Sequence, residues 1–206
     1  MKTRDRILAC TLELFNDQGE PNVSTLDIAN ELDISPGNLY YHFRGKEVLV
    51  DVLLGDFLEQ TRDLVTARPG ADDLSPEDYW LYMHLLFEAI IRYRFLFLDL
   101  PNLMGRYAQV RRAMHHWVEA LRISLNDLLL ALRDQHHLRA ADDELDRLLD
   151  ALCQTFLFWT DYQRVRGLDE ADPATAVRQV LGLMLPYLDG ETRAWMTDLI
   201  ERYPRR

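Results

Sequence analysis

Apolar residues return every three or four positions along almost the whole of this chain, the spacing of helices buried on one side. Ile7, Leu8, Leu12 and Phe15 open the pattern and predict a helix over about Thr3–Asp17. Turn residues from Gly19 to Asn22 stop it. Ser24 then reads as an N-cap, with Asp27 completing a weak capping box, and Ile28 and Leu32 give the short second helix one apolar face. Asp33-Ile34 makes a turn. Ser35 caps a third short helix with Pro36 at its first position, where a missing N–H costs nothing. Val48, Leu49, Val52, Leu53 and Phe57 predict a longer helix from near Gly45 towards Leu64. Residues 67–76, "ARPGADDLSP", have the composition of a linker, and Ser75-Pro76-Glu77-Asp78 restarts a helix that runs to about Arg94. Asp99-Leu100-Pro101 predicts a break before a short helix near Asn102–Tyr107. Helices over about Gln109–Gln135, Asp142–Arg166, Pro173–Tyr187 and Glu191–Tyr203 follow. No segment alternates with the period of a strand, and there is no internal repeat. The fold class is all-α.

With 206 residues, 48% of them hydrophobic, the chain can bury one good core or two small ones. No apolar run approaches the roughly 20 residues of a membrane span, and the N-terminus lacks the pattern of a signal peptide. The expectation is a cytoplasmic protein. The two cysteines, Cys10 and Cys153, sit in apolar helical patterns and read as reduced, buried thiols.

The formal net charge of −11 is unevenly spread. Residues 1–46 hold five lysines and arginines against seven acids, and the rest of the chain holds 18 against 27. An acidic body discourages loose binding to nucleic acid, so any such contact needs a local face. One segment fits: "ISPGNLYYHFRGK", Ile34 to Lys46, contains no acid and is dense in aromatic and cationic groups.

Three short helices, the second and third joined by a tight turn, predict a helix-turn-helix, whose second helix enters the major groove by its N-terminal residues. Pro36, Gly37 and Asn38 lead that helix; the first two let the backbone approach base edges, and the Asn38 amide can pair with a base. Tyr41 can meet a thymine methyl or a sugar. Tyr40, His42 and Lys46 offer donors to phosphates, which set register rather than sequence. Arg4 and Arg6 could extend the face. Leu39 and Phe43, four apart, should face inward.

These residues, "LDIANELDISPGNLYYHFRGKEVLV" with "ILACTLELF" and Gly19 before them, resemble the DNA-binding domain of the TetR family of bacterial transcriptional regulators. The likeness covers about Thr3 to Leu54. It implies that the three N-terminal helices bind operator DNA and that the remaining helices bind a small molecule and dimerise. By position it implies that Thr25 meets a phosphate, that Gly37 and Asn38 lie at base edges, that Tyr41 touches bases or sugar, and that Tyr40, His42 and Lys46 hold the backbone. Leu26 departs from the pattern: some members carry an arginine there on a guanine, and that contact cannot form here. "YRFLFLDLPNL", residues 93–103, resembles one subgroup without identifying a ligand.

The expected division is therefore a helix-turn-helix DNA-binding domain, 1–46, and a ligand-binding and dimerisation domain, 47–206, with the helix over 45–66 connecting them and Phe57 to Leu64 as its lever. "ALCQTFLFW" and "VLGLMLPYL" are apolar nearly all round their helices. A helix apolar on every side is buried on every side, which a homodimer arranges by pairing late helices from two subunits. Leu157, Phe158, Val180, Gly182 and Leu183 are the expected interface. The expected ligand pocket draws on His84, Phe87, Ile91, Met104, Tyr107, Trp117, Leu121, Phe156 and Trp159, an aromatic set suited to a flat or amphipathic molecule. His115-His116 and His136-His137 are adjacent pairs that point about 100° apart on a helix, so no metal site is expected. No cofactor is implied, and no phosphate loop or nucleophile elbow is present.

The sequence thus reads as a non-enzymatic, ligand-responsive homodimeric repressor of a palindromic operator, released by a small hydrophobic or amphipathic effector. The alternative is an all-α small-molecule-binding protein or enzyme without specific DNA recognition.

Overall fold

A computed structural model describes residues 2–66, 75–168 and 172–202. Eleven helices occur among them: α1 Thr3–Gln18, α2 Thr25–Glu31, α3 Pro36–His42, α4 Lys46–Thr66, α5 Pro76–Arg92, α6 Phe95–Leu98, α7 Leu100–Arg106, α8 Ala108–Asp134, α9 Asp142–Val165, α10 Pro173–Met184 and α11 Gly190–Arg202. Single 3-10 turns follow α1 and α10, and an isolated bridge joins Leu138 to Leu188. Most helix ends fall within two residues of the positions expected. The linker-like 67–74 and the expected end at Tyr203 lie outside the described residues.

The break expected at Asp99-Leu100-Pro101 is milder than the composition suggests. Phe95–Leu98 already forms a turn of helix, and Pro101 sits in the first turn of α7, where it forfeits no hydrogen bond.

The chain divides into two compact units, and neither is a continuous segment. The first comprises Met1–Gln60 and Tyr93–Met114, the second Thr61–Arg92 and His115–Arg206. The first unit therefore takes in α6, α7 and the start of α8 as well as the three N-terminal helices. Its core is aromatic: Phe15 meets Phe95 with ring centroids 5.3 Å apart, and Phe57 meets Phe97 at 5.4 Å. Polar contacts tie the same elements. Asn16 Oδ1 accepts from the Phe95 N–H, and Arg94 donates to Asp17 at 2.7 Å.

In the second unit α10 packs on α5 and α9. Met83, Leu86, Phe87 and Ile90 of α5 and Val177, Val180, Leu181 and Met184 of α10 are fully buried. Each such side chain contributes about 1.5–3 kcal/mol of burial. Two hydrogen bonds join α4 to α8 within this unit: Trp117 Nε1 donates to Thr61 Oγ1 at 2.9 Å, and Ser124 donates to the Leu64 carbonyl at 3.2 Å. Cys10 and Cys153 are free and buried, and burial pushes both thiols up from their ordinary value.

Candidate nucleic-acid interface

The N-terminal helices are held by local chemistry. Ser24 and Asp27 form a full capping box at the start of α2: the Asp27 N–H donates to Ser24 Oγ, and the Ser24 N–H donates to Asp27 Oδ2 at 2.8 Å. The Ser24 hydroxyl, and then its backbone N–H, hold the Asp27 carboxyl below its ordinary value. Asp33 makes the turn after α2 with φ 52°, a left-handed conformation that aspartate tolerates better than most residues. The Ile34 N–H then returns to the Ala29 carbonyl at 3.0 Å. Ser35 caps α3 by accepting from the Asn38 N–H.

This frame turns one side of α3 inward and leaves the other open. Leu39 and Phe43 are buried. Pro36, Gly37 and Asn38 are exposed, as are Tyr40 at 61% and Tyr41 at 83%. An exposure so high for a tyrosine on a helix of seven residues has no packing explanation. His42 is half-buried, its ring edge-on to Tyr41 at 5.2 Å. Thr25 is half-buried at the first position of α2, and Leu26 beside it is exposed. The arrangement presents an uncharged, donor-rich helix end of the size a groove admits.

Lys46 requires a correction. Its ammonium donates to the Glu20 carbonyl at 2.7 Å and the Val23 carbonyl at 2.8 Å, and pairs with Glu20 Oε1 at 3.0 Å. All three protons are used, so Lys46 orders the turn before α2 instead of reaching a phosphate. Arg4 is also partly engaged, its guanidinium 5.2 Å from the centre of the Phe43 ring.

Glu20, which the sequence did not single out, organises this unit. Its side chain is fully buried and accepts from Arg106 Nη1 at 2.6 Å and from the Tyr107 hydroxyl at 2.6 Å, besides Lys46. Burial first, then the bond to Glu20, raises the Tyr107 phenol far above its ordinary value. Tyr107 was expected in the ligand pocket; it is committed to Glu20 instead. Met104 also belongs to the first unit. No local signal marked Glu20, because its partners lie 26, 86 and 87 positions on.

The other expected pocket residues fall in the second unit. Phe87 stacks on Phe156 at 4.5 Å and meets Trp159 edge-on at 5.9 Å. Trp117 and Leu121 are buried, Ile91 is half-buried, and His84 pairs with Glu88 at 3.2 Å. Of the expected interface residues, Val180 is wholly buried among its own unit's helices and cannot face a partner. Phe158 and Gly182 are exposed, and Leu157 and Leu183 half-buried. An open hollow of about 300 Å³ lies between α9 and α10, lined by Phe158, Trp159, Tyr162 and Leu183 among others.

Comparison with known proteins bears on both regions. A family model for bacterial regulatory proteins of the tetR family matches residues 7–53, and one described as TetR, bacterial transcriptional repressor, matches 57–195. The chain belongs to the TetR family of bacterial transcriptional regulators. The crystal structure of a TetR-family transcriptional regulator from Marinobacter aquaeolei is 30% identical over 100% of both chains, with a TM-score of 0.87. The transcriptional repressor KstR2 of Mycolicibacterium smegmatis is 39% identical over 56 residues, so this TetR-family chain matches 27% of that curated relative's length. The negative regulator of the biofilm operon in Staphylococcus epidermidis, IcaR, is 20% identical over 90% of this chain and 98% of its own. Family membership makes the chain a regulator and disfavours the enzymatic alternative. No helix among the described residues of this TetR-family member is long and apolar enough to cross a membrane.

Proposed function

We propose that this TetR-family chain is a cytoplasmic homodimeric repressor, in which each subunit lays Pro36–His42 in a major groove of a two-fold operator. A small, uncharged amphipathic effector releases it. The observation that carries the reading is the exposed, acid-free end of α3 on its Ser35 cap, with Asn38, Tyr40 and Tyr41 open to solvent. Thr25 and His42 flank it as phosphate donors. The two reading helices of a dimer would sit about 34–36 Å apart, or a multiple of that. The dimer face we assign is the α9–α10 hollow with Phe158, Gly182 and Leu183; Phe158 is 47% exposed, and Tyr162 and Val165 extend the apolar surface on the same helix. The effector acts by its differential affinity for two states of the dimer, and the stretch of α4 from Phe57 to Leu64 is the segment that would transmit the difference.

The test is selection of bound sequences from a random DNA pool by the purified protein, stripped of any co-purified small molecule, at two salt concentrations. A recovered palindrome with affinity falling steeply as salt rises is the expected result. No enrichment at either salt overturns the reading. Once an operator is known, Asn38→Ala should alter preference among its variants, whereas Tyr40→Phe should weaken binding to all of them. Identical behaviour would show that the two roles are wrongly assigned.

A further inference from the structure

Four buried polar side-chain atoms have no hydrogen-bond partner: the hydroxyls of Tyr79, Tyr82 and Thr160 and the indole N–H of Trp159. All four lie in the second unit, and all four are on α5 or α9. Buried polar atoms without partners are scarce in folded proteins because each forfeits its hydration. Other threonines on the chain's helices avoid the cost by donating back one turn, as Thr155 does to the Ala151 carbonyl at 2.8 Å and Thr197 to the Arg193 carbonyl. Thr160 does not.

The two helices run in the same direction. Tyr82 lies within electrostatic reach of Cys153, and Phe87, further along α5, meets Phe156 and Trp159, further along α9. Tyr79 and Tyr82 therefore mark one end of the α5–α9 seam and Trp159 with Thr160 the other. Eight residues from Tyr79 to Phe87 make a helical rise of about 12 Å. Apolar rings, Phe87 and Phe156, fill the interval. Burial keeps both phenols neutral: it raises Tyr79 well above its ordinary value and takes Tyr82 up to about 12. The Tyr82 hydroxyl has Ser124 as a neighbour, but Ser124 gives its own proton to the Leu64 carbonyl.

Charge is missing from this region. Glu20, in the first unit, is the one fully buried charged side chain among the described residues. Arg122 approaches Cys153, but it is engaged with Asp150 near the surface. An ionised ligand in the seam would meet no counter-charge, and burying it would cost several kcal/mol.

Resting on the regulator reading above, we infer that the α5–α9 seam is the effector site, and that it takes an elongated, uncharged molecule with an apolar middle and a hydrogen-bonding oxygen at each end. One oxygen is bound by the hydroxyls of Tyr79 and Tyr82, the other by the Trp159 indole and Thr160. The polar atoms are unpaired in the free protein because the ligand is their partner.

The full-length protein can be tested with the uncharged fluorophore N-phenyl-1-naphthylamine as reporter and a series of straight-chain α,ω-diols as competitors, each matched to the dicarboxylate of equal length. DNA is absent, so the outcome is independent of operator binding: this proposal can fail while the operator selection succeeds, and the reverse. The expected result is displacement by diols of intermediate length, with the matching dicarboxylates weaker by about tenfold or more. Tyr79→Phe and Trp159→Phe should each weaken diol binding about three- to tenfold while raising the melting temperature of the free protein. Equal binding of diol and dicarboxylate overturns the inference. So do variants that bind diols as the parent does, or variants that melt lower, since those atoms would then have partners inside the protein.

Discussion

In the first unit a fully buried carboxylate, Glu20, meets an ammonium, a guanidinium and a phenol. In the second, three buried hydroxyls and an indole N–H meet nothing. The two regions are of similar helical make-up, yet one closes its polar interior and the other leaves it open. A closed network resists deformation, since each partner's loss strands the rest. That suits a unit that must hold Asn38, Tyr40 and Tyr41 at a fixed spacing. An open set of donors costs stability until something binds, which suits a unit whose task is to respond.

The contrast can be broken most severely at Glu20. Glu20→Ala strands Arg106, Lys46 and the Tyr107 hydroxyl, and should cost about 3–5 kcal/mol in urea unfolding. A loss below about 1 kcal/mol, the range of an exposed ion pair, would mean that the network is not a keystone. Tyr107→Phe is a gentler cut. It removes one charge-assisted hydrogen bond and should cost about 1.5–3 kcal/mol by the same measurement.

The same chemical edit in the other unit should have the opposite sign. Tyr79→Phe deletes a hydroxyl that bonds to nothing, so the free protein should gain up to about 1 kcal/mol. If Tyr107→Phe and Tyr79→Phe destabilise alike, the distinction between closed and open interiors fails. The smallest effect concerns the exposed cap of α2. The Asp27 carboxyl is held below its ordinary 3.8 in the folded protein, so its contribution is present above that pH and is lost as pH falls through the lowered value. Asp27→Asn should therefore melt below the parent at neutral pH, with the gap closing in acid. A gap that stays constant with pH would show that the carboxylate charge plays no part in the cap.

Much of the reading unit was legible in the sequence because its signals are short-range. Ser24 with Asp27, and Ser35 with Pro36, announce helix starts through bonds spanning two or three residues. Leu39 and Phe43 announce an inward face by their spacing. Lys46 misled for the complementary reason: a lysine at the start of a helix reads as a free cation, and nothing nearby reveals a buried acid 26 positions earlier. Phe95–Leu98 was missed because Asp99 and Pro101 look like a stop, although proline is harmless in a first helical turn. In the second unit Phe87, Phe156 and Trp159 were rightly grouped, but Tyr79, Tyr82 and Thr160 passed as core. A hydroxyl on an apolar helix face was the signal, and it shows only that a partner is needed.

Periodicity, caps and turn residues by themselves determined the all-α class, the helix order and the exposed end of α3, since each depends on neighbours within a few residues. Tertiary structure alone decided that Tyr93–Met114 joins the N-terminal helices in one unit and that Glu20 is buried among Lys46, Arg106 and Tyr107. It also decided that Val180 turns inward and that Tyr79 and Trp159 are left unpaired. Those outcomes rest on which side chains meet across dozens of positions, and a pattern read along the chain carries no record of where distant residues come together.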